Sequence, residues 1–452
     1  MAVIKLSAIL DLLALHASQP ARYPYLLQTL GAAGGEGWDI LFAFPVSSSQ
    51  YALTNHPSHF FADLEAAWQK SPPHKAAPET ANLPFRGGWF LYLGYELLHE
   101  TEPTVAIPAA PASPAFPLAC RTRIPAAILV DHAKKQAHLF AEPGFENCLP
   151  QMQQDLAALA EQPDSASAGV RAQSKFGVEE VLEEDSAHFT ANVERAKQYI
   201  RDGDIFQANL SRSWQARLVG EGRLAPLVYA KLREKNPAPF SGLANFGDSQ
   251  IISSSPERLL KVTGKKIETR PIAGTHPRSA DPAEDQKLRT ALRAHPKERA
   301  EHIMLVDLER NDLGRICTPG SVVVEELMAI NSYAHVHHIE SKVSGELRDD
   351  VTPVAILRAL FPGGTITGCP KVRAMQIINE LERTPRLAYT GSMGYLNRDG
   401  DMDMNILIRS FMLTGQQLSF RAGAGIVADS DPQRELEETR AKAKGLLKVL
   451  ED

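Results

Sequence analysis

Residues 421–432 read Arg421-Ala422-Gly423-Ala424-Gly425-Ile426-Val427-Ala428-Asp429-Ser430-Asp431-Pro432. The first eight are an apolar, strand-like run with two glycines, and the last four predict a helix start, with polar cap candidates before a proline. The helix that follows carries Glu435, Glu438 and Lys442, which share one face at about 3.6 residues per turn. A glycine-containing strand therefore leads into a helix with two carboxylates and one ammonium on the same side. The alternative is an ordinary solvated stripe.

A second carboxylate pair, Glu298 and Glu301, has the same spacing far upstream. If the two helices face each other, as many as four carboxylates meet in one cleft, where their repulsion favours a divalent cation. All-oxygen ligands indicate a hard ion, and one or two protein carboxylates completed by substrate and water are typical of magnesium. Two unrelated surface pairs are the other explanation, and spacing alone leaves both open.

Composition excludes several classes of function. The chain has 452 residues, 44% of them hydrophobic and 23% charged, which is enough for a sizeable core in an ordinary globular protein. Its net charge of −6 gives no reason to expect nucleic acid or a membrane surface as a partner, and no apolar run approaches the ~20 residues of a membrane span. The four scattered cysteines favour a reducing cytoplasm over a disulfide framework and argue against a zinc site. We therefore expect a soluble globular protein located in the cytoplasm.

The order of predicted elements indicates the fold class. Strand patterns dominate residues 1–160, residues 161–175 are rich in Gln, Ser and Ala and predict a linker, and helices and strands alternate over residues 176–452. Strands in runs, with helices segregated around them, favour an α+β fold over a doubly wound parallel sheet.

Three further features stand out. Arg409 lies in an apolar run, Met402 to Leu413, that predicts a strand, and a buried arginine needs a partner, for which a carboxylate is best. Glycine-rich turns such as Gly363-Gly364 offer amide groups to a small anionic substrate. His338 also lies in a strand-like run, although an inward histidine is more often a satisfied core residue than a catalyst.

Several separate motifs together resemble one family. They are Pro271-Ile272-Ala273-Gly274-Thr275, Glu298-Arg299-Ala300-Glu301-His302, Asp307-Leu308-Glu309-Arg310-Asn311-Asp312, Phe361-Pro362-Gly363-Gly364-Thr365-Ile366-Thr367-Gly368-Cys369-Pro370-Lys371 and the closing Gly423 to Ser430. On these motifs the chain resembles the chorismate-utilising enzymes, which include anthranilate synthase component I, aminodeoxychorismate synthase component I, and isochorismate and salicylate synthases. The resemblance is dense over residues 200–445 and looser before them.

The resemblance implies two β-sheets packed face to face, helices outside, and an active site in the cleft between the sheets. It also implies roles for individual residues. Glu301 and Glu438 would bind magnesium, with Glu435 in support, and the ring carboxylate would lie near Lys442, Gly423 and Gly425. Tyr389 and Arg409 would bind the enolpyruvyl carboxylate. Glu298 would protonate the departing C4 hydroxyl, and His338 and Thr365 would line the ring.

The nucleophile is indicated by Gln207. Family members that add water have a lysine at this position as general base, and a glutamine cannot act as a base. The resemblance therefore implies ammonia, which we expect a separate glutamine amidotransferase subunit to supply.

Ala273 and the remaining motifs favour different branches of the family. Aminodeoxychorismate synthases often have Lys in the Pro-Ile-x-Gly-Thr motif, where it attacks C2, whereas Ala273 is typical of anthranilate synthase. The turn at Gly363, the run Thr390 to Tyr395 and the run Gln207 to Leu210 resemble the aminodeoxychorismate branch. We expect aminodeoxychorismate synthase component I, on the route to 4-aminobenzoate and folate, with a second ammonia replacing the missing lysine. Anthranilate synthase component I is the alternative.

Overall fold

The structure is a computed structural model that describes residues 2–6, 11–31, 37–54, 58–71, 78–108, 116–161, 176–279, 281–294, 296–332 and 336–451. The predicted linker, 161–175, lies outside the described residues except for its first residue.

The strands, in chain order, are β1 (Ala2–Leu6), β2 (Tyr25–Gln28), β3 (Trp38–Ala43), β4 (Ser47–Ala52), β5 (Gly88–Leu93), β6 (Pro117–Ile124), β7 (Ala126–Asp131), β8 (Gln136–Ala141), β9 (Gly177–Glu183), β10 (Gln207–Val219), β11 (Phe240–Asn245), β12 (Ser249–Ser255), β13 (Arg258–Thr263), β14 (Lys266–Thr269), β15 (Ile272–Pro277), β16 (Val323–Ser332), β17 (Val336–Glu346), β18 (Gly368–Cys369), β19 (Ser392–Asn397), β20 (Met402–Asn405), β21 (Ser410–Thr414) and β22 (Gln417–Ile426).

The α-helices are α1 (Leu12–Ser18), α2 (Phe60–Lys70), α3 (Cys148–Ala160), α4 (Ser186–Arg201), α5 (Leu224–Lys235), α6 (Pro282–Ala294), α7 (Pro296–Gly314), α8 (Pro353–Leu360), α9 (Lys371–Glu382) and α10 (Pro432–Leu450). The start predicted for the last helix is confirmed, because the Asp431 side chain accepts a hydrogen bond from the Arg434 N–H and Pro432 occupies the first turn. Among the described residues, no helix combines the length and the apolar character that crossing a bilayer requires.

Two large antiparallel sheets form the architecture, which confirms the predicted α+β class. Over the described residues the first sheet has 12 strands in the order β1-β8-β7-β3-β2-β11-β12-β21-β22-β10-β18, with β9 beside β10. The second has 10 strands in the order β15-β17-β14-β13-β20-β19-β5-β6-β4, with β16 beside β17. Strands from both 1–160 and 176–452 take part in each sheet, since β2 pairs with β11 and β5 pairs with β19. The boundaries proposed between these regions stay a prediction.

The apolar clusters show that the sheets face each other. One cluster joins Phe42 and Phe140 of the first sheet to Phe90 and Tyr395 of the second. Separate clusters pack α1, α3, α5 and α10 on the outer face of the first sheet, and α2, α7 and α8 on the outer face of the second. The helices therefore lie outside a shared core, as the resemblance implied.

The single strand predicted from Met402 to Leu413 is wrong. The chain forms β20 in the second sheet and β21 in the first, and the segment between them crosses from one sheet to the other. Arg409 lies in this crossing with φ at 51°, in the left-handed region that a β-strand does not use. An apolar run of this length looks like one strand because both halves are buried. The crossing carries Arg409 to the gap between the sheets.

Candidate active site

The first wall of the site is the pair β10 and β22. Asn209 of β10 lies opposite Gly425 of β22, and Ser211 lies opposite Gly423. A Cβ at Gly425 would lie 2.5 Å from Nε2 of Gln207, and one at Gly423 would lie 2.7 Å from both the Asn209 Oδ1 and the Tyr389 hydroxyl. Glycine at these two positions leaves room for the Gln207, Asn209 and Tyr389 side chains where they lie, because a Cβ at either position would force its neighbours to move.

The carboxylates of α7 and α10 meet this wall. Gln207 Nε2 donates a 2.9 Å hydrogen bond to Oε1 of Glu301. Lys442 Nζ lies 2.7 Å from Oε1 of Glu438 and donates to the Gly423 carbonyl at 3.1 Å. Desolvation opposes the charge on Lys442, but Glu438, Tyr389 and Glu301 hold its pKa above the ordinary value. Glu301, Glu438 and Lys442 are therefore neighbours, although they come from helices far apart in sequence.

The donor set suits a hard cation. Glu301 and Glu438 are carboxylates around one ammonium, while Glu435 is buried in the first turn of α10. Within the described residues, no group of three or more His, Cys, Asp and Glu side chains is arranged as a ready-made metal site. Magnesium needs only one or two protein carboxylates and takes its other ligands from substrate and water, so the residues fit this ion.

The second wall comes from β15 and β17. His338 of β17 is paired with Thr275 of β15, and Ala273 is paired with Ile339. Burial, with help from Arg409 and Lys442, lowers the pKa of His338 to about 3, so the imidazole is neutral at physiological pH. Glu298 of α7 lies against this wall, since a Cβ at Gly274 would come within 2.9 Å of its Oε2.

Arg409 brings a positive charge into the cleft. It has no hydrogen bond or ion pair from its guanidinium to the parts of the chain that the structure describes. Burial lowers its pKa, and the charge of Glu257 acts in the opposite direction. The carboxylate partner expected from the sequence is thus a neighbouring charge and not a direct ion pair. A cation held this way is suited to a carboxylate of a bound ligand.

Glu257 is a candidate that the sequence reasoning missed. The residue is 4% exposed, and Thr365 Oγ1 donates a 2.6 Å hydrogen bond to its Oε1. Burial raises the pKa of Glu257 to about 7, with a further increase from Glu340. A carboxyl group whose pKa is raised close to neutral pH keeps a substantial fraction of its acid form there, so Glu257, close to Arg409, is equipped to give up a proton. Its only signal in the sequence is a charged residue shortly after the serine run that ends β12, at Ser255-Pro256-Glu257.

A buried ion network supports the site from behind. Arg386 donates to both oxygens of Glu382, at 2.9 and 2.6 Å, and to the backbone carbonyls of Ile366 and Asn209. Its guanidinium also lies 5.6 Å from the centroid of the Tyr389 ring. Arg386 thus ties the glycine-rich turn, β10 and the Tyr389 turn into one rigid unit.

The structure brings the predicted residues to one region, through contacts and neighbouring charges. Gln207, Glu301, Gly423, Gly425, Glu438 and Lys442 form one side, Tyr389 adjoins Gly423, and His338, Arg409 and Thr365 reach it from the second sheet and the connecting segments. Their chemical roles stay predictions.

Comparisons with known proteins agree with this architecture. The model of the chorismate binding enzyme family matches residues 30–448. An anthranilate synthase component I-like protein of Synechocystis is 43% identical over 379 residues, which are 83% of this chain and 75% of that protein. Aminodeoxychorismate synthase component 1 of Bacillus subtilis is 50% identical over 264 residues, 58% of this chain and 55% of the relative. The chain spans half the length of another relative, anthranilate synthase component 1 of Haloferax volcanii, at 48% identity.

Solved structures show the same fold. Anthranilate synthase component I from Streptococcus pneumoniae superposes with a TM-score of 0.77 at 31% identity, covering 92% of this chain and 93% of that one. The menaquinone-specific isochorismate synthase MenF from Escherichia coli gives a TM-score of 0.73 at 20% identity, which shows the fold alone.

Proposed function

The chain belongs to the chorismate binding enzyme family, and from that premise we propose that it acts as aminodeoxychorismate synthase component I. The reaction joins chorismate and ammonia to give 4-amino-4-deoxychorismate and water. The observation that carries the proposal is Gln207, whose amide lies in the cleft with its nitrogen bound to Glu301. An amide has no proton-accepting group of useful basicity, so water would not be activated there, whereas ammonia is nucleophilic without losing a proton.

Two positive groups and two glycines would hold the substrate. Chorismate carries two carboxylates, and the charges of two separate cations, Arg409 and Lys442, both act on His338 in the cleft. We assign the enolpyruvyl carboxylate to Arg409 and Tyr389, and the ring carboxylate to the region of Lys442, Gly423 and Gly425. Magnesium held by Glu301 and Glu438, with Glu435 behind them, would neutralise and orient that ring carboxylate.

Departure of the C4 hydroxyl requires a proton, since hydroxide is a poor leaving group. Glu298 is the acid that the family resemblance indicates, and it lies beside Gly274. Glu257 is the acid that the electrostatics support, because it is buried and its pKa is about 7. In the proposed mechanism Glu257 gives its proton to the hydroxyl oxygen while Thr365 holds the carboxyl in position.

The missing motif lysine determines how ammonia reaches C4. Ala273 is 7% exposed and has no nucleophilic atom. We propose that one ammonia adds at C2 as water leaves from C4, and that a second ammonia then attacks C4 and expels the first. Net consumption is one ammonia per chorismate. We further propose that the ammonia comes from a glutamine amidotransferase subunit in the cytoplasm; the relatives' names, with "component 1", support a multi-component enzyme.

Anthranilate synthase is the second candidate, favoured by Ala273 and by the names of several relatives. It would pass through the same 2-amino intermediate and then lose pyruvate. Incubation with chorismate, magnesium and ¹⁵N-ammonium, followed by mass spectrometry, separates the two. A labelled 4-amino product supports the proposal, and labelled anthranilate with an equal amount of pyruvate replaces it with the alternative. The absence of a transient 2-amino species would refute the two-ammonia route.

A further inference from the structure

Two buried side-chain oxygen atoms of β10 have no hydrogen-bond donor among the residues that the structure describes. Gln207 is 1% exposed, and its Oε1 has no partner within the described parts of the chain. The Oδ1 of Asn209 is also buried and has none there. Buried polar atoms are nearly always hydrogen-bonded, and a pair of exceptions in an active-site cleft calls for a ligand that donates.

Glu301 fixes the orientation of the Gln207 amide. Its Nε2 donates to Oε1 of Glu301 at 2.9 Å. A carboxylate accepts hydrogen bonds and cannot donate them, so the amide nitrogen is held toward Glu301 and the amide oxygen points away from it. In Asn209, Nδ2 is directed to the Thr365 carbonyl at 3.5 Å, which leaves Oδ1 for another donor.

The two oxygens belong to one face of one strand. Gln207 and Asn209 are two residues apart on β10, so their side chains project to the same side, with Cα atoms roughly 7 Å apart. Ala208 and Leu210 between and beyond them join an apolar cluster on the opposite side. Above the amides lie the glycines of β22: a Cβ at Gly423 would be 2.7 Å from the Asn209 Oδ1.

We propose that Oε1 of Gln207 and Oδ1 of Asn209 form a binding site for ammonia, each accepting one of its N–H bonds. Two acceptors leave the nitrogen lone pair unengaged, so it is free to point at the ring of the substrate. A donor such as a lysine ammonium would instead bind this lone pair and block the attack. Asn209 thus becomes a binding residue for the nucleophile, a role that the sequence analysis did not assign to it. This inference rests on the proposed use of ammonia.

The same pair of acceptors distinguishes ammonia from water by chemistry and not by affinity. Water can also donate two hydrogen bonds to them, but it must lose a proton to become an effective nucleophile. Neither amide can take that proton, whereas ammonia attacks first and loses its proton afterwards. A water molecule bound in this site would therefore not attack the substrate.

The test uses the full chain with chorismate, magnesium and free ammonium as the nitrogen source. Asn209→Leu keeps the branched shape of the side chain, and Asn209→Ala truncates it. Both variants remove the Oδ1 acceptor together with the long Nδ2 contact to the Thr365 carbonyl. The matched control is Gln215→Met, an exposed position on the same face of β10. We expect the KM for ammonium to rise about 10-fold in both Asn209 variants, which is the loss expected for one hydrogen bond. The KM for chorismate should stay within about twofold, and the control should match wild type.

Three outcomes would overturn the ammonia site: an unchanged KM for ammonium in both Asn209 variants, an equal rise in the KM for chorismate, or no ammonium-dependent turnover in wild type. Far-ultraviolet circular dichroism and the melting temperature show whether a variant is folded, and the Ala variant serves if the Leu variant is not. The assay follows consumption of chorismate, so it reads the ammonia site whether the product is the 4-amino compound or anthranilate. Identification of anthranilate would therefore refute the proposed function and leave this inference standing.

Discussion

Thr365 Oγ1 donates a 2.6 Å hydrogen bond to Oε1 of Glu257, a carboxyl group that is 4% exposed. Thr365 comes from the glycine-rich turn before α9, and Glu257 from the segment between β12 and β13. The contact joins a recognisable motif to a residue outside any motif. In the proposed mechanism this carboxyl group, whose pKa is raised to about 7, supplies the proton that the hydroxyl leaving group needs.

Glu257→Gln should lower kcat by roughly 10²- to 10⁴-fold, because the amide cannot donate an acidic proton. The melting temperature should not fall, since the substitution removes a buried ionisable group. Glu298→Gln in the same assay compares the two candidate acids. A large loss in Glu298→Gln, with full activity in Glu257→Gln, would transfer the role to Glu298.

The pH profile gives an independent test of the same group. Because the pKa of Glu257 is about 7, its acid form is lost as the pH rises through that value, and kcat should fall there. His338 should contribute no change near pH 6, since burial lowers its pKa to about 3. Measurement of kcat from pH 5.5 to 9 in Glu257→Gln should show the alkaline fall removed; its persistence would exclude Glu257 as its source.

Glu301→Gln and Glu438→Gln should each abolish magnesium-dependent turnover, since magnesium prefers charged oxygen ligands. Glu437→Gln is a matched control, because Glu437 is exposed on the same helix as Glu438 and pairs with Arg440 at the surface. Isothermal titration of magnesium in the presence of chorismate measures the loss of binding directly. Normal activity in either variant would refute the metal assignment.

Arg409→Met should raise the KM for chorismate strongly, by about 100-fold, because a charged hydrogen-bonding partner of a carboxylate is lost. The free energy of unfolding should stay the same or increase, since the guanidinium is held without an ion pair to the described residues. Urea titration of both proteins measures this. A variant that loses stability as well as binding would show that Arg409 serves the fold.

Arg386→Met should reduce the free energy of unfolding by roughly 3–5 kcal/mol, because Glu382 would be left as a buried charge with Arg421 as its remaining cation. Arg383→Met changes an exposed arginine one turn away and should stay within about 0.5 kcal/mol of wild type. Equal effects in the two variants would contradict the supporting role of Arg386.

Glu309 provides a prediction about stability and pH. Burial, with the charge of Asp312, raises its pKa to about 8, so the folded chain holds this proton where the unfolded chain has lost it. The contribution of Glu309 to stability is thus full below about pH 4.5 and is lost as the pH rises to about 8. Glu309→Gln should be more stable than wild type at pH 9 by roughly 2–4 kcal/mol. Parallel urea titrations at pH 5 and 9 measure the free energy of unfolding of both proteins. A difference between the two proteins that is the same at both pH values would contradict this prediction.

The features predicted correctly from the sequence are those that depend on neighbouring residues in the chain. Asp431 and Pro432 mark the start of α10, so the common face of Glu435, Glu438 and Lys442 could be placed before any contact was known. The α+β class followed from the order of strand and helix patterns. The meeting of Glu301 with Gln207 depends on packing between elements about 90 residues apart, which periodicity does not determine, and it was expected only through the family resemblance.

The two residues that the sequence misplaced or missed share a physical cause. Arg409 lies in a crossing between sheets whose flanks are apolar because both sheets bury them, so the crossing looks like one continuous strand. Glu257 looks like an ordinary charged residue after a proline. Only the structure shows that its side chain is 4% exposed and bonded to Thr365, and burial is what raises its pKa. Local patterns do not report either kind of burial.

The most direct test of the proposed function is the identity of the product formed from chorismate, magnesium and ¹⁵N-ammonium by the purified chain. We predict 4-amino-4-deoxychorismate with one labelled nitrogen, which an added lyase would convert to labelled 4-aminobenzoate. Labelled anthranilate, released together with an equal amount of pyruvate, would contradict the account.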